Sequence, residues 1–344
     1  SGDTGKAALE GFAGVEGTRI MVFFREDGVS PVQKLQMTTQ EGENTCVVGI
    51  KGNFDDAQSA VKSIFTDKAL AAELDAKGYC FSSANSINIG RLVPQIVYYF
   101  WAYLRAAEMG EIKLGEELNF TVPTGNFGDI LAGWYAMKMG LPVGHFVCAS
   151  NDNKVLYDFF RTGTYDRNRA FHVTISPSMD ILISSNLERL LCHMGGQEKT
   201  GAEMESLAKN GTYTAEITEK RMSGEFATEQ ETAKAIRAFY EWTGYVMDTH
   251  TAVAYAAYKK YQAESGDTRP MVIVSTASPY KFTKDVMTAL DAKYAEGDAF
   301  VLMSELEKAA GVAVPQPIRG LEQREIRHMN VCEKGEIKYV VKNW

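Results

Sequence analysis

Several features that mark a specialised protein are missing from this 344-residue sequence. No uninterrupted apolar stretch reaches the roughly 18 residues needed to span a bilayer, since the longest candidate, Leu92 to Ala107, is interrupted by Pro94, Gln95 and Arg105. The chain carries 36 Lys and Arg against 44 Asp and Glu, a formal net charge of −8, without a long run of one sign. Neither a membrane nor a nucleic acid is therefore indicated as a partner.

Cysteine is scarce and scattered. No C-x-x-C pair occurs among the five cysteines, which are Cys46, Cys80, Cys148, Cys192 and Cys332. An odd number of isolated cysteines is typical of free thiols in a reducing compartment. The start of the chain also lacks the basic, apolar and small-residue pattern of a secretion signal. These features favour a cytoplasmic protein.

Several catalytic and metal-binding motifs are absent as well. The five histidines, at positions 145, 172, 193, 250 and 328, show no metal-ligand spacing, so a metal site is disfavoured. The sequence contains no G-x-S-x-G elbow of an α/β-hydrolase and no G-x-G-x-x-G dinucleotide fingerprint. His250, near the start of a predicted helix, is interpreted as structural rather than catalytic.

What the chain does contain is typical of a globular protein with a large core. Apolar residues make up 45% and charged residues 23%, and a chain longer than roughly 250–300 residues usually divides into lobes. Short apolar runs alternate with amphipathic segments along the chain. The main predicted strands are Arg19–Phe24, Thr45–Ile50, Leu118–Val122, Val143–Ala149 and Met271–Ser275. This alternation predicts an α/β fold with two lobes, each an open twisted sheet with helices on both faces.

The most informative stretch is Pro123-Thr124-Gly125-Asn126-Phe127-Gly128-Asp129, which lies between a predicted strand and a predicted helix. Two glycines three positions apart permit backbone conformations closed to other residues, and the first turn of the helix directs unpaired N–H groups into the turn. Such a turn is typical of a phosphate site. A turn in which glycine serves geometry alone is the alternative, and this motif by itself does not separate the two.

Four polar turns follow an apolar strand or stand where one is expected: residues 1–5, 85–91, 125–129 and 275–279. In an open α/β sheet, the loops at the carboxyl ends of the strands line the ligand crevice, so these turns are predicted to converge. The second turn offers the neutral donors Asn85, Ser86 and Asn88 and the fork-shaped cation Arg91, a set suited to phosphate or carboxylate. For Arg91 alone, a solvated position at a helix start is the alternative.

Taken together, four motifs resemble threonine synthase, a pyridoxal-phosphate enzyme of the tryptophan-synthase-β fold group. They are Ser1-Gly2-Asp3-Thr4-Gly5, Asn85-Ser86-Ile87-Asn88 with Arg91, Pro123 to Asp129, and Thr276-Ala277-Ser278-Pro279-Tyr280-Lys281-Phe282. The resemblance covers essentially the whole chain in the same order. It implies a fold-type II enzyme that uses pyridoxal 5′-phosphate to convert O-phosphohomoserine and water into threonine and phosphate.

The resemblance also implies roles for individual residues. For the cofactor, it implies that Gly125, Asn126, Phe127 and Gly128 cradle the phosphate, that Thr276 hydrogen-bonds the pyridine nitrogen and that Asp3 lies near the ring hydroxyl. For the substrate, it implies that Ser1 and Thr4 hold the carboxylate end and that Asn85, Ser86, Asn88 and Arg91 receive the phosphate. The two separate anion sites that the resemblance implies agree with the sites predicted from the residues of the loops.

Two departures from the family pattern matter. The resemblance implies a Schiff-base lysine in a His-Gly-Pro-Thr-x-x-Phe-Lys-Asp type motif a few dozen residues before the position of Ser1, and this sequence contains no such motif. Lys6 belongs to a different motif and is not assigned that role. We therefore expect that an N-terminal segment is missing and that the chain by itself is inactive. In addition, Ser278 stands where many relatives have His, which leaves an auxiliary proton carrier unassigned.

The predicted organisation is a remainder of the small lobe in residues 1–88 and a large lobe that binds the cofactor phosphate, with a C-terminal appendix, in residues 89–344. Two alternatives remain open. One is another fold-type II enzyme, such as a threonine dehydratase or a cysteine synthase, which the 85–91 turn disfavours because those substrates carry no phosphate on the leaving end. The other is a non-catalytic phosphate-binding homologue. The sequence predicts neither an oligomeric state nor allosteric regulation.

Overall fold

The computed structural model describes residues 2–26, 28–52, 60–61 and 63–344. The strands within these residues are β1 Ile20–Arg25, β2 Thr45–Lys51, β3 Leu118–Pro123, β4 Val143–Ser150, β5 Thr164–Asp166, β6 Thr212–Thr214, β7 Met222–Phe226, β8 Met271–Ile273 and β9 Asn330–Glu333. The helices are α1 Gly2–Phe12, α2 Pro31–Thr38, α3 Lys68–Asp75, α4 Ile89–Leu92, α5 Ile96–Glu108, α6 Gly128–Lys138, α7 Val155–Thr162, α8 Leu187–Gly195, α9 Gln197–Asn210, α10 Glu229–Thr243, α11 Thr249–Ser265, α12 Thr283–Leu290, α13 Met303–Ala310 and α14 Ile337–Asn343. In this part of the chain no helix is both long and apolar enough to cross a bilayer.

Parallel strands dominate the sheets. One sheet has the order β1-β2-β9 and the other the order β7-β4-β3-β8, and every pairing in both is parallel. A short antiparallel pair, β5 and β6, stands apart from them. The predicted α/β architecture with parallel sheets is confirmed.

The chain divides into two compact units. Unit 1 comprises Ser1–Ala84, Tyr280–Lys284 and Tyr294–Trp344, and unit 2 comprises Asn85–Pro279 and Asp285–Lys293. The break after residue 84 lies close to the predicted lobe boundary at residue 88. The C-terminal part differs from its description as an appendix of the large lobe, because β9 pairs with β2 in unit 1. The pairing joins residues far apart in sequence, which local patterns do not report.

Several helices of both units begin where local sequence favours it. In α2, the Ser30 hydroxyl accepts a hydrogen bond from the Gln33 N–H, and Pro31 occupies the first helical position, which proline favours. In α10, Thr228 and Glu231 form a second capping box. Such caps satisfy backbone groups that a helix end otherwise leaves without partners.

The larger sheet, in unit 2, packs helices on both of its faces. Alternate residues of a strand point to opposite faces. Val147 and Ala149 of β4 pack with Val253 and Ala254 of α11 in one buried cluster. Phe146, of the opposite parity, contacts residues of α5 and β3 instead. The sheet is thus buried on both sides, which explains why β3 is a continuous run of buried residues.

Three buried rings fill the second face. Tyr99 of α5 lies 5.1 Å from Phe120 and 6.0 Å from Phe146, and the two phenylalanine rings lie 5.9 Å apart, all as centroid distances. Gly133 of α6 faces this cluster. A Cβ at Gly133 would lie 2.5 Å from the Tyr99 ring and 2.7 Å from the Phe146 ring. The missing side chain therefore lets α6 approach the sheet.

We predict that Gly133→Ala destabilises the protein by about 1–3 kcal/mol, because overpacking a buried site forces side chains or backbone to shift. The measurement is the free energy of unfolding of the full-length protein in urea. Gly201→Ala is the matched control, since Gly201 lies inside α9 and a Cβ there meets nothing within 4 Å. The control should stabilise by about 0.5–1 kcal/mol through helix propensity, and equal effects of the two substitutions would contradict the packing argument.

His145 is largely buried near the amino end of β4. Its ring stacks on Tyr261 at 4.8 Å between centroids, and its Nε2 lies 2.8 Å from the Ser223 hydroxyl. Burial, together with the nearby Arg269 cation, lowers the pKa of His145 to about 4. The ring is therefore neutral in the folded protein near neutral pH.

We predict that His145 makes the protein less stable as the pH falls from about 6.5 to about 4. An unfolded histidine takes up a proton below about 6.5, while the folded one does not until about 4, so the unfolded state gains stability in this window. The loss at pH 4.5 is about 2–3 kcal/mol. Urea unfolding at pH 7 and pH 4.5 should show a smaller loss for His145→Gln than for the wild type, and an unchanged loss would refute the assignment.

Candidate active site

Two of the predicted loops lie side by side at the carboxyl edge of the unit 2 sheet. β3 and β8 are paired in parallel, with Thr121 opposite Ile273. The pairing continues past β8, where the Val274 N–H donates to the Thr121 carbonyl at 2.9 Å. The turn at 124–128 follows β3 and the loop at 274–279 follows β8, so both leave the same edge. Thr276, in this second loop, is exposed.

The 124–128 turn uses its glycines differently from the prediction. The backbone conformation that most residues avoid belongs to Phe127, with φ 64°, which is fully buried. Gly125 and Gly128 are not in the left-handed region. Gly125 is required instead for a close approach, because a Cβ there would lie 2.5 Å from the Ser178 carbonyl oxygen. A Cβ at Gly128 would make only ordinary contacts at 3.5 Å.

The turn carries a set of backbone donors without acceptors. Among the residues that the structure describes, none accepts a hydrogen bond from the N–H groups of residues 125–130, and the first helical bond of α6 runs from the Leu131 N–H to the Phe127 carbonyl at 3.2 Å. Phe127, Gly128 and Ile130 are buried. Buried N–H groups almost always have partners, so such a set at a helix start is the signature of a bound anion. The turn thus fits a phosphate group.

Ser184 and Asn186, about 60 residues further along the chain, form hydrogen bonds to the carbonyl groups of the turn. The Ser184 hydroxyl donates to the Gly125 carbonyl at 3.0 Å. Asn186 donates to the Asn126 carbonyl twice, from its backbone N–H at 3.1 Å and from Nδ2 at 2.9 Å. Because the carbonyls are occupied in this way, the N–H groups are left for a ligand. Sequence analysis missed these residues, since Ser-Ser-Asn before a helix indicates only a cap.

A buried Asp–His pair supports the turn through Ser178. The Ser178 N–H donates to His250 Nε2 at 3.2 Å, so Nε2 is an acceptor and a ring proton is on Nδ1, which lies 3.2 Å from Asp248 Oδ1. Burial raises the pKa of Asp248, but hydrogen bonds from His250 and Thr251 outweigh it and keep the pKa below its usual value. Thr251 in turn lies 3.2 Å from the Ser275 hydroxyl, next to Thr276. One buried carboxylate is therefore linked to both loops.

A second carboxylate lies in the first turn of α6. The Tyr99 hydroxyl donates to the Asp129 carbonyl at 2.9 Å and to its Oδ1 at 3.0 Å. Burial raises the pKa of the Asp129 carboxyl, and the hydrogen bond from Tyr99 offsets this only in part. The carboxyl group at this helix start is therefore harder to ionise than an exposed aspartic acid.

The 85–91 turn, also in unit 2, lies against the same helix start. Its backbone is ordered by its own side chains: Asn85 Oδ1 accepts from the Ile87 N–H at 3.2 Å, and Asn88 Oδ1 accepts from the Gly90 N–H at 2.9 Å and caps α4. The Ser86 Cβ lies 3.5 Å from the position of a Gly128 Cβ. Burial lowers the pKa of Arg91, which remains a cation at neutral pH. The structure therefore brings this turn together with the 124–128 turn.

The remaining predicted residues lie in unit 1 or outside the described part. Asp3 and Thr4 are in the first turn of α1. The Asp3 carboxylate forms an ion pair with Lys281 Nζ. The backbone carbonyl of Lys281 accepts a hydrogen bond from the Ser30 hydroxyl. Ser1 lies outside the described residues. The roles implied for these three residues stay predictions.

Comparison with known proteins assigns the family. The family model described as pyridoxal-phosphate dependent enzyme matches residues 1–277, and the model described as threonine synthase, C-terminal, matches residues 251–341. The chain belongs to the threonine synthase family of pyridoxal-phosphate-dependent enzymes. The predicted family, fold class and cofactor, pyridoxal 5′-phosphate, are thereby confirmed.

Solved structures and curated relatives agree with this assignment. Threonine synthase from Brucella melitensis, solved with the cofactor bound, is 36% identical with a TM-score of 0.77 over 99% of this chain and 68% of its own. The yeast threonine synthase structure is 32% identical with a TM-score of 0.81 over 99% of this chain and 66% of its own. Human threonine synthase-like 1 is 41% identical over 85% of this chain and 41% of its own length. Saccharomyces cerevisiae threonine synthase is 37% identical over 84% of this chain and 59% of its own length. The chain thus spans about half the length of the curated relatives it matches.

We predict that Gly125→Ala raises the dissociation constant of pyridoxal phosphate by at least about tenfold, because relief of the clash with Ser178 moves the turn and misaligns one or two N–H donors. Gly128→Ala should change it by less than about threefold, since its Cβ has room. The measurement is equilibrium dialysis of the full-length protein with the cofactor, with the melting temperature as a check on folding. Equal losses for both variants would show that the motif needs glycine for some other reason.

Proposed function

We propose that the protein carrying this chain acts as a threonine synthase, converting O-phosphohomoserine and water into threonine and phosphate. The observation that supports this best is the proximity of two anion-binding turns at Gly128. One presents backbone N–H groups that have no acceptor within the described part of the chain, and the other combines three neutral side-chain donors with the Arg91 cation. A cofactor phosphate and a substrate phosphate require two such sites.

In the proposed arrangement, the N–H groups of residues 125–130 bind the cofactor phosphate, and Phe127 and Gly128 set their direction. Thr276 places a neutral hydroxyl beside the pyridine nitrogen. When bound, pyridoxal phosphate supplies the electron-withdrawing ring that makes bonds near the substrate amino group reactive. The implied contacts of Asp3 with the ring hydroxyl and of Ser1 and Thr4 with the substrate carboxylate remain part of the proposal.

The substrate phosphate is assigned to the 85–91 turn. Asn85, Ser86 and Asn88 are short side chains that donate to phosphate oxygens without adding charge. Arg91 provides a planar fork that matches two phosphate oxygens at once and remains charged despite its burial. The turn therefore holds the leaving group and neutralises its charge as the carbon–oxygen bond breaks.

Two alternatives make different demands on the site. A threonine dehydratase or cysteine synthase acts on substrates without a phosphate on the leaving end, so it has no use for the Arg91 turn. A non-catalytic phosphate-binding homologue would release no product. The 85–91 turn favours threonine synthase over the first alternative, and only an activity measurement separates it from the second.

We predict that the full-length protein with its cofactor releases threonine and phosphate in equal amounts from O-phosphohomoserine. Arg91→Gln should lower kcat/KM by about 10–100-fold, with part of the loss in kcat, because the charge-assisted contact that binds the substrate phosphate and neutralises it as the bond breaks is lost. The measurement is parallel quantification of threonine and phosphate. Phosphate without threonine would indicate an eliminating relative, and neither product would indicate the non-catalytic homologue.

We also propose a cytoplasmic location. All five cysteines are free, and those at positions 80 and 192 are exposed. Exposed free thiols are typical of a reducing compartment. The location of a fluorescent fusion of the full-length protein tests this.

A further inference from the structure

Arg189 is a cation of unit 2 that the family motifs quoted above do not include. It lies on α8 and is half-buried. Its Nη1 donates to Asn186 Oδ1 and its Nη2 donates to the Ile87 carbonyl. Within the described residues it forms no ion pair. Its hydrogen-bond partners there are therefore all neutral, although a half-buried cation is stabilised most by a nearby anion.

The two acceptors belong to the two anion-binding turns. Ile87 is in the middle of the 85–91 turn. Asn186 is fully buried and donates twice to the Asn126 carbonyl in the 124–128 turn, and its Nδ2 lies 3.5 Å from the position of a Gly128 Cβ. Arg189 and Asn186 thus form a continuous chain of hydrogen bonds from one turn to the other.

The geometry leaves donors on Arg189 for a ligand. A guanidinium has five N–H donors in a fixed fork. Within the described residues two of these donors are engaged, by Asn186 and Ile87, so three remain on a guanidinium that contacts the middle of the 85–91 turn. An anion with several acceptor oxygens and two negative charges, such as a phosphate monoester, matches this set.

We propose that Arg189 is a second guanidinium for the substrate phosphate, and that through Asn186 it fixes the 85–91 turn against the cofactor-phosphate turn. This inference rests on the proposed function, and it names a positioning and specificity residue for the same site. It requires that Arg189 matter more for ligands that carry phosphate than for ligands that do not.

The test uses two probes on the full-length protein with its cofactor: inorganic phosphate, and L-threonine, which lacks a phosphate. We predict that Arg189→Gln raises the dissociation constant of inorganic phosphate by about 10–100-fold and changes that of threonine by less than about threefold, both measured by titration calorimetry. Arg189→Lys, which keeps the charge but loses the fork, should give an intermediate value for phosphate.

Arg237→Gln is the matched control. Arg237 also donates to a backbone carbonyl, that of Leu290, through Nε and Nη2, but Leu290 belongs to neither of the two turns. Its loss should leave both dissociation constants unchanged. The melting temperature and the cofactor content of each variant show whether the fold and the cofactor site are intact.

Each outcome bears on the proposal. A selective loss of phosphate affinity supports it. Unchanged phosphate affinity in Arg189→Gln, or equal losses for phosphate and threonine, overturns it and leaves the proposed function standing. If the wild type binds threonine but no inorganic phosphate, the substrate-phosphate assignment fails, and the inference fails with it.

Discussion

The candidate site depends on one constraint: a buried backbone turn has to present several N–H groups that none of the described residues satisfies. A buried donor without a partner costs about 1–3 kcal/mol, so a turn of this kind collapses unless other contacts hold it open. Hydrogen bonds to the carbonyl groups of the turn provide these contacts. The carbonyls of Gly125 and Asn126 accept from Ser184 and Asn186, and the backbone of Ser178 closes over Gly125. The turn is therefore fixed from outside, and its donors are left for the ligand.

The segment that closes over Gly125 is itself held by buried polar groups. Asn151, at the carboxyl end of β4, donates from Nδ2 to Asp180 Oδ1 at 2.8 Å, and the Thr174 N–H donates to Asp180 Oδ2 at 3.1 Å. His250 holds the same segment at Ser178. A buried hydrogen-bonded network of this kind rigidifies its surroundings, because breaking any of these bonds leaves a buried group unpaired. Rigidity here matters for binding, since a preorganised set of donors loses little entropy when an anion enters.

The sequence predicts the parts of this arrangement that are local. Parallel sheets follow from the alternation of strands and helices, and the turns follow from glycine and asparagine after apolar runs. What it does not predict is non-local. Ser178 and Asn186 contact the turn across more than 50 residues, and no periodicity reports such a contact. The pairing of β9 with β2 is missed for the same reason.

The turn also shows that a sequence motif does not reveal the structural role of each of its residues. Gly125 is needed because another segment lies 2.5 Å from its missing Cβ, whereas the strained conformation belongs to Phe127. A buried aromatic side chain adopts positive φ only where its packing compensates for the strain. Phe127 stacks on Phe160 at 6.2 Å between centroids, and this burial holds the residue in place. The packing of Phe127 in the core thus compensates for the backbone strain in the turn.

Placing two phosphate sites around one helix start raises an electrostatic problem that the proposed assignments resolve by chemistry. Two dianions a few ångströms apart repel each other strongly unless charge is neutralised between them. The 124–128 turn offers neutral N–H groups and the helix dipole, which bind an anion without adding a counter-charge. The guanidinium groups belong to the other side, at Arg91 and Arg189. Because guanidinium is planar and binds two oxygens at once, it neutralises charge and fixes orientation together, which a lysine ammonium does not.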